Sequence, residues 1–211
     1  DGIRTYFSER TSADVSAFHE AFPDIVALFR HFSHKEALLD TIQKTGGKLY
    51  QYHLEPDATT EGNRVIQAQK LQDNPLIGLA QQFGEARGAG RALRSALSEL
   101  PDPKKMKEPN LEPHERGAIL VAAIFDAYFT VYLRATADLF RIFHAGGGGT
   151  QSRELSGSMA NLLARAASKT ADIMFKICVR AIDYCPAVDI TFGDYLRALI
   201  TADRDNHPAD P

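Results

Sequence analysis

The chain has 211 residues, 44% of them hydrophobic, enough to bury one large core or two small ones. Its 24 basic and 27 acidic residues are interspersed and leave a formal net charge of −3, which gives no electrostatic case for nucleic acid or an anionic membrane. No apolar run approaches the roughly 20 residues needed to span a bilayer, and the N-terminus lacks the basic-then-apolar layout of a signal peptide.

Read in chain order, the pattern is overwhelmingly helical. Ser12 or Asp14 can cap a helix running to about Phe32, with Val15, Phe18, Phe22, Ile25, Val26 and Phe29 at helical spacing. Pro23 falls inside it, deletes one backbone hydrogen bond and should bend the helix. A second helix from about His34 stops at Gly46-Gly47. Residues 48–54 alternate as in a short strand, with Tyr50 and Tyr52 as packing residues, and 55–63 are turn-like. Leu76 to Phe83 suggests a helix start, weakened by Gly84, Gly88 and Gly90, and Ala92 to Leu97 is helical again.

Pro101, Pro103, Pro109 and Pro113 punctuate a long charged loop. The most apolar helix comes next, from about Glu115 to Phe143, nearly all-round apolar and so expected at the centre. Gly146 to Gly149 make a flexible connection with none of the surroundings of a phosphate-binding loop. A long helix is expected from about Glu154 to Tyr184, ending before Pro186. A last helix opens at Thr191, with Asp194 in a capping-box position, and residues 203–211 form a frayed tail. Cys178 and Cys185 lie two helical turns apart, too far for a disulfide without a break between them. As free thiols they lean towards a reducing, cytoplasmic compartment. One helical domain, residues 1–211, accounts for the whole pattern.

The chemistry concentrates in His19-Glu20-Ala21-Phe22-Pro23-Asp24-Ile25. Glu20 and Asp24 are one helical turn apart and project from the same face. Ala17, Ala21 and Leu28 surround them, so the acids sit on an apolar stripe where they need a cation or hydrogen-bond donors. A second cluster is Glu112-Pro113-His114-Glu115-Arg116-Gly117-Ala118-Ile119, in which a histidine opens the most apolar helix directly after the proline-rich loop. An imidazole N–H there can stabilise developing negative charge. His31 and His34 read as surface residues, and His144 as part of a helix end.

The first of these segments resembles the third-ligand helix of the thermolysin-like zinc metallopeptidases, the gluzincins, whose pattern is Asn/His-Glu-Ala-x-x-Asp-Ile/Val. That resemblance implies that Glu20 is a zinc ligand and that Asp24 hydrogen-bonds a zinc-ligating histidine. The family's His-Glu-x-x-His helix lies shortly upstream of this one and is missing from the chain, which begins Asp1-Gly2-Ile3. The expectation is therefore a C-terminal piece that starts just downstream of the zinc-binding helix. His114, Gly117 and Ile119 match the family's His-x-x-Ser/Gly-x-Ile helix start, which implies that His114 stabilises the oxyanion. The family's orienting aspartate has no counterpart, because position 109 is Pro; Glu112 or Glu108 is a possible substitute. Residues 190–200 resemble the family's closing helix, a packing motif, and Tyr6 corresponds loosely to an oxyanion-assisting tyrosine.

The resemblance implies a mainly α domain like the C-terminal domain of those peptidases, a zinc cofactor in the full-length parent, a peptide or protein substrate, and the missing N-terminal portion as partner. This chain alone is expected to be inactive and to hold zinc poorly. The alternative is a non-catalytic helical interaction or scaffold domain derived from that fold.

Overall fold

The computed structural model describes residues 12–44, 111–145 and 156–207. They form five α-helices and one short 3-10 turn, without a strand among the described residues. The helices are α1 (Ala13–Phe32), α2 (Lys35–Lys44), α3 (Pro113–Ala145), α4 (Gly157–Ala181) and α5 (Phe192–Asn206), and the turn Ile182–Tyr184 comes directly after α4. The expected strand at 48–54, the turn at 55–63, the segments between 76 and 97, the loop at 101–110 and the glycine run all lie outside the described residues.

Helix ends obey local chemistry. The Ser12 side chain accepts from the Val15 N–H at 3.4 Å and Ser156 does the same for Met159 at 3.2 Å, satisfying amides that have no partner within the helix. Helix α1 runs through Pro23 to Phe32; Pro23 lies on its exposed side. Helix α3 opens with proline, the residue that loses nothing at a first helical position. At α5, Thr191 and Asp194 complete a reciprocal capping box.

Three expectations are corrected by the structure. The helix expected from Glu154 starts at Gly157, behind the Ser156 cap. Residues 203–206 are not frayed, because α5 continues to Asn206 and the His207 N–H closes it onto the Asp203 carbonyl at 2.8 Å. Nor is α3 buried all round, since Ala123, Ala127 and Val131 are exposed. Its stretch Pro113–Leu139 is, at mean hydropathy 1.6, long and apolar enough to cross a membrane, more than the sequence reading allowed. Its inward face packs on α1 and α4, a position that demands the same apolarity of a core helix.

The core lies where α1, α3 and α4 meet. From α1 come Ile25, Leu28, Phe29 and Phe32, and from α3 Val121, Phe125, Tyr128 and Tyr132. Helix α4 brings a line of alanines at 160, 164, 167 and 171, all fully buried, which lets the neighbouring backbones approach and leaves the volume to aromatic rings. Phe32 meets Phe125 and Tyr128 edge-on with ring centroids 5.9 and 5.5 Å apart, within the favoured range for aromatic pairs. A polar latch at the α1–α2 corner holds it to α4: Ser33 Oγ donates to Asp172 at 2.7 Å, and Ser168 Oγ donates to the Ser33 carbonyl at 2.9 Å. Both cysteines are free. Burial pushes the Cys178 thiol up to about 12 and raises that of Cys185, so both stay protonated near neutrality.

Two buried tyrosines make a direct comparison. The Tyr128 hydroxyl donates to the Ala167 carbonyl at 3.3 Å, whereas the Tyr132 hydroxyl is buried without a hydrogen-bond partner. Removing an unsatisfied buried polar atom recovers its desolvation cost, and removing a paired one strands the acceptor. Tyr132→Phe should therefore raise stability by about 1 kcal/mol and Tyr128→Phe lower it by a similar amount, read as opposite shifts of the denaturation midpoint.

The capping box carries a pH signature. The Thr191 hydroxyl, then the Thr191 N–H, and Arg197 hold the Asp194 carboxyl below its ordinary value. Because the folded value lies below the unfolded one, the stabilisation is present above the ordinary carboxylate range and is lost as pH falls through the folded value. Asp194→Asn should lower the melting temperature near neutral pH and flatten its decline on acidification.

Candidate functional site

Glu20 and His114 meet although 94 positions separate them (114 − 20). Their Nδ1–Oε2 distance is 3.5 Å, with the imidazole 68% and the carboxylate 39% exposed. This is an ion pair when the imidazole is protonated and, at that separation, not a tight hydrogen bond. So exposed a pair contributes well under about 1 kcal/mol, so it does not hold the helices together. Something else brings the two side chains to one place.

That something is a helix crossing built from small residues. A Cβ at Gly117 would lie 2.8 Å from the Ala17 carbonyl oxygen and 3.5 Å from the Ala21 Cβ, so only glycine allows α1 and α3 this close. Gly117 is one turn after His114, Ala17 is nearly one turn before Glu20, and Ala21 is its neighbour. The crossing therefore sets the two polar side chains side by side at its edge.

A second contact fixes the same crossing. Arg116 reaches across to Asp14, with Nη2 at 2.6 Å and Nε at 2.7 Å from Oδ1. The other carboxylate oxygen of Asp14 accepts the Phe192 N–H at 3.1 Å, at the start of α5. Side-chain exposure is only 16% for Arg116 and 17% for Asp14, and the guanidinium lies 5.9 Å from the centre of the Phe192 ring. One carboxylate thus ties three helices together. Sequence reasoning assigns Asp14 only as an alternative cap and passes over Arg116, because no local signal couples residues 102 positions apart.

The remaining candidates fall into place around this pair. Asp24 is half-buried one turn beyond Glu20, and both Asp24 and His19 are engaged with partners. The acids on the α1 stripe are thus half-buried rather than enclosed, while Ala17, Ala21 and Leu28 around them are buried. Glu112 is exposed, and His114 has Glu20 as its polar partner among the described residues. Tyr6, Glu108, Tyr50 and Tyr52 lie outside the described residues. His34 is exposed and His31 half-buried, its basicity lowered by burial and by the neighbouring His34. Among the described residues no group of three or more His, Cys, Asp or Glu side chains is placed to hold a metal. What the site offers chemically is one accessible carboxylate beside one accessible imidazole at the positive end of a long helix.

Comparison with known protein families, with characterised proteins and with solved structures finds no match to this chain.

Gly117→Ala tests the crossing directly. The added methyl meets backbone rather than a flexible side chain, so α1 and α3 must separate. Stability should fall by about 1–3 kcal/mol, the scale of overpacking, measured by chemical denaturation. Glu20→Gln, which touches only the exposed pair, should change it by less than about 0.5 kcal/mol.

Proposed function

We propose that this chain is the C-terminal part of a thermolysin-like zinc peptidase, with Glu20 as a zinc ligand, Asp24 supporting an upstream zinc-ligating histidine, and His114 binding the carbonyl oxygen of a peptide substrate. The single observation that carries this reading is the exposed Glu20–His114 pair, 3.5 Å apart on two different helices. A ligand and an oxyanion donor must flank one reacting carbonyl, and these are the residues that the resemblance to that family assigns to the two roles.

The donor set fits the metal in part. A catalytic zinc takes three protein ligands, and the resemblance assigns only Glu20 among the described residues; the other two belong to the upstream His-Glu-x-x-His segment that it implies. Zinc, when bound, supplies a Lewis acid that polarises the carbonyl and lowers the pKa of water. Everything else falls to this chain's own groups. Glu20 contributes one negative charge and its carboxylate oxygen. His114 presents an N–H to the carbonyl oxygen as that oxygen gains negative charge. At 3.5 Å the pair leaves no room for a substrate atom, so His114 turns aside to admit one, a motion its exposure permits. The first turn of α3 adds the positive end of the helix dipole to the same place.

The rival reading, a helical scaffold derived from that fold, draws on the same contact, because His114 already gives Glu20 a polar partner within the chain. Mutagenesis of the full-length parent separates the two. His114→Ala should lower turnover by roughly two to three orders of magnitude, the scale of one lost oxyanion donor, and leave zinc content unchanged. Glu20→Ala should remove both metal and activity. The 211-residue chain alone should show no tight stoichiometric zinc site. Full activity of His114→Ala, or submicromolar zinc binding by the chain alone that is lost in Glu20→Ala, would defeat the assignment.

A further inference from the structure

We infer that Asp14 and Arg116 are the positioning residues of the Glu20–His114 site, setting the rotation of the first turn of α3 so that His114 faces Glu20; the inference rests on the proposed peptidase reading for its catalytic consequence. Arg116 and His114 share that first turn two positions apart, so their side chains leave α3 on nearly opposite sides. Fixing one therefore fixes the direction of the other. Little else holds the first turn: the Arg116 N–H donates to the Glu112 carbonyl at 2.9 Å, but the residues before it have no amide partner within the helix and Pro113 offers no amide at all.

The geometry of the contact is that of an orientational restraint rather than simple attraction. Two guanidinium nitrogens converge on Oδ1 of Asp14 at 2.6 and 2.7 Å, and the Phe192 N–H holds Oδ2 at 3.1 Å. The anchor for α3 is thus itself anchored in both α1 and α5. Gly117 sets how near α3 comes to α1; Arg116 sets which way it faces. Lysine keeps the charge but, as a single freely rotating ammonium, cannot reproduce the fork. In contrast to this part-buried contact, the Glu20–His114 pair is too exposed to orient itself.

The test uses the full-length parent holoenzyme in three forms: Arg116→Lys, Asp14→Asn, and Ser33→Ala as a stability control. Ser33 lies 13 residues beyond Glu20, at the end of α1, about 20 Å along the helix axis, and makes a latch to α4 remote from the site. Melting temperature, zinc content, kcat and KM are measured for each. In protein labelled at His and Glu, the Overhauser cross-peak between the His114 ring and the Glu20 side chain reports their proximity without reference to activity. Arg116→Lys and Asp14→Asn should weaken that cross-peak and lower kcat about 10- to 100-fold, the cost of a misplacement near 1 Å. KM should stay within about twofold and zinc should be retained, since ground-state binding is not the lost interaction. Ser33→Ala should lower the melting temperature yet keep both cross-peak and kcat. A cross-peak of undiminished intensity in Arg116→Lys, or a kcat loss no larger than that of Ser33→Ala, overturns the positioning role. If the unmutated parent hydrolyses no peptide, the peptidase reading falls by itself, and the cross-peak alone decides whether Asp14 and Arg116 position the pair.

Discussion

The close approach between the Ala17 carbonyl and Gly117 is the constraint on which the rest of the structure depends. Two helices carrying ordinary side chains at a crossing keep their axes some 8–10 Å apart; small residues at the contact permit the near end of that range. Here Ala17 and Ala21 on α1 face Gly117 on α3, and each is buried. Large side chains then take over away from the crossing: Ile25, Phe29 and Phe32 on one, Phe125, Tyr128 and Tyr132 on the other. The polar residues lie beside this close crossing and the aromatic core farther along the same two helices.

Beside the crossing two ion pairs divide the labour. The Asp14–Arg116 contact is part-buried, its side chains 17% and 16% exposed, so it holds the helices more firmly than an exposed pair, though with less than the roughly 3–5 kcal/mol lost when a fully buried pair is broken. By comparison, the Glu20–His114 pair faces solvent and contributes little to stability. A rigid contact next to a weak, accessible one is the arrangement a binding site needs, since the accessible groups must exchange one partner for another at low cost while their backbones stay in place. Stability and solvent access are thereby given to different residues of the same helix turn.

Helix α4 holds the other side of the bundle by different means. Its alanine line brings α1 and α3 close, its side of the Ser33–Asp172 and Ser33–Ser168 latch fixes the α1–α2 corner, and its C-terminal end receives α5 through the Tyr195 hydroxyl on the Cys178 carbonyl at 3.0 Å. Tyr195 also meets Phe18 edge-on with centroids 4.9 Å apart, which docks α5 against the first turns of α1 near the Asp14 carboxylate. The closing helix therefore helps to hold the anchor of α3, although its contribution to the Glu20–His114 pair is made only through that anchor.

Sequence alone determined the described helices and those of their ends that local caps mark, because the interactions responsible span only a few residues. The Ser12 cap, the proline that opens α3 and the Thr191–Asp194 box are each complete within a single turn, and helical spacing of apolar residues marks the faces between them. Glu20, Asp24 and His114 were nominated by resemblance to a peptidase family; no periodicity in the chain links the first two to the third. Tertiary structure decided the rest. It selected which side of the apolar α3 is buried and left Ala123 and Ala127 outside. It also brought Asp14 to Arg116 and Ser33 to Asp172 across 102 and 139 positions, and set Glu20 beside His114. Such pairings arise from how two helices cross, and the crossing depends on the shapes of both partners at once, which neither segment carries by itself.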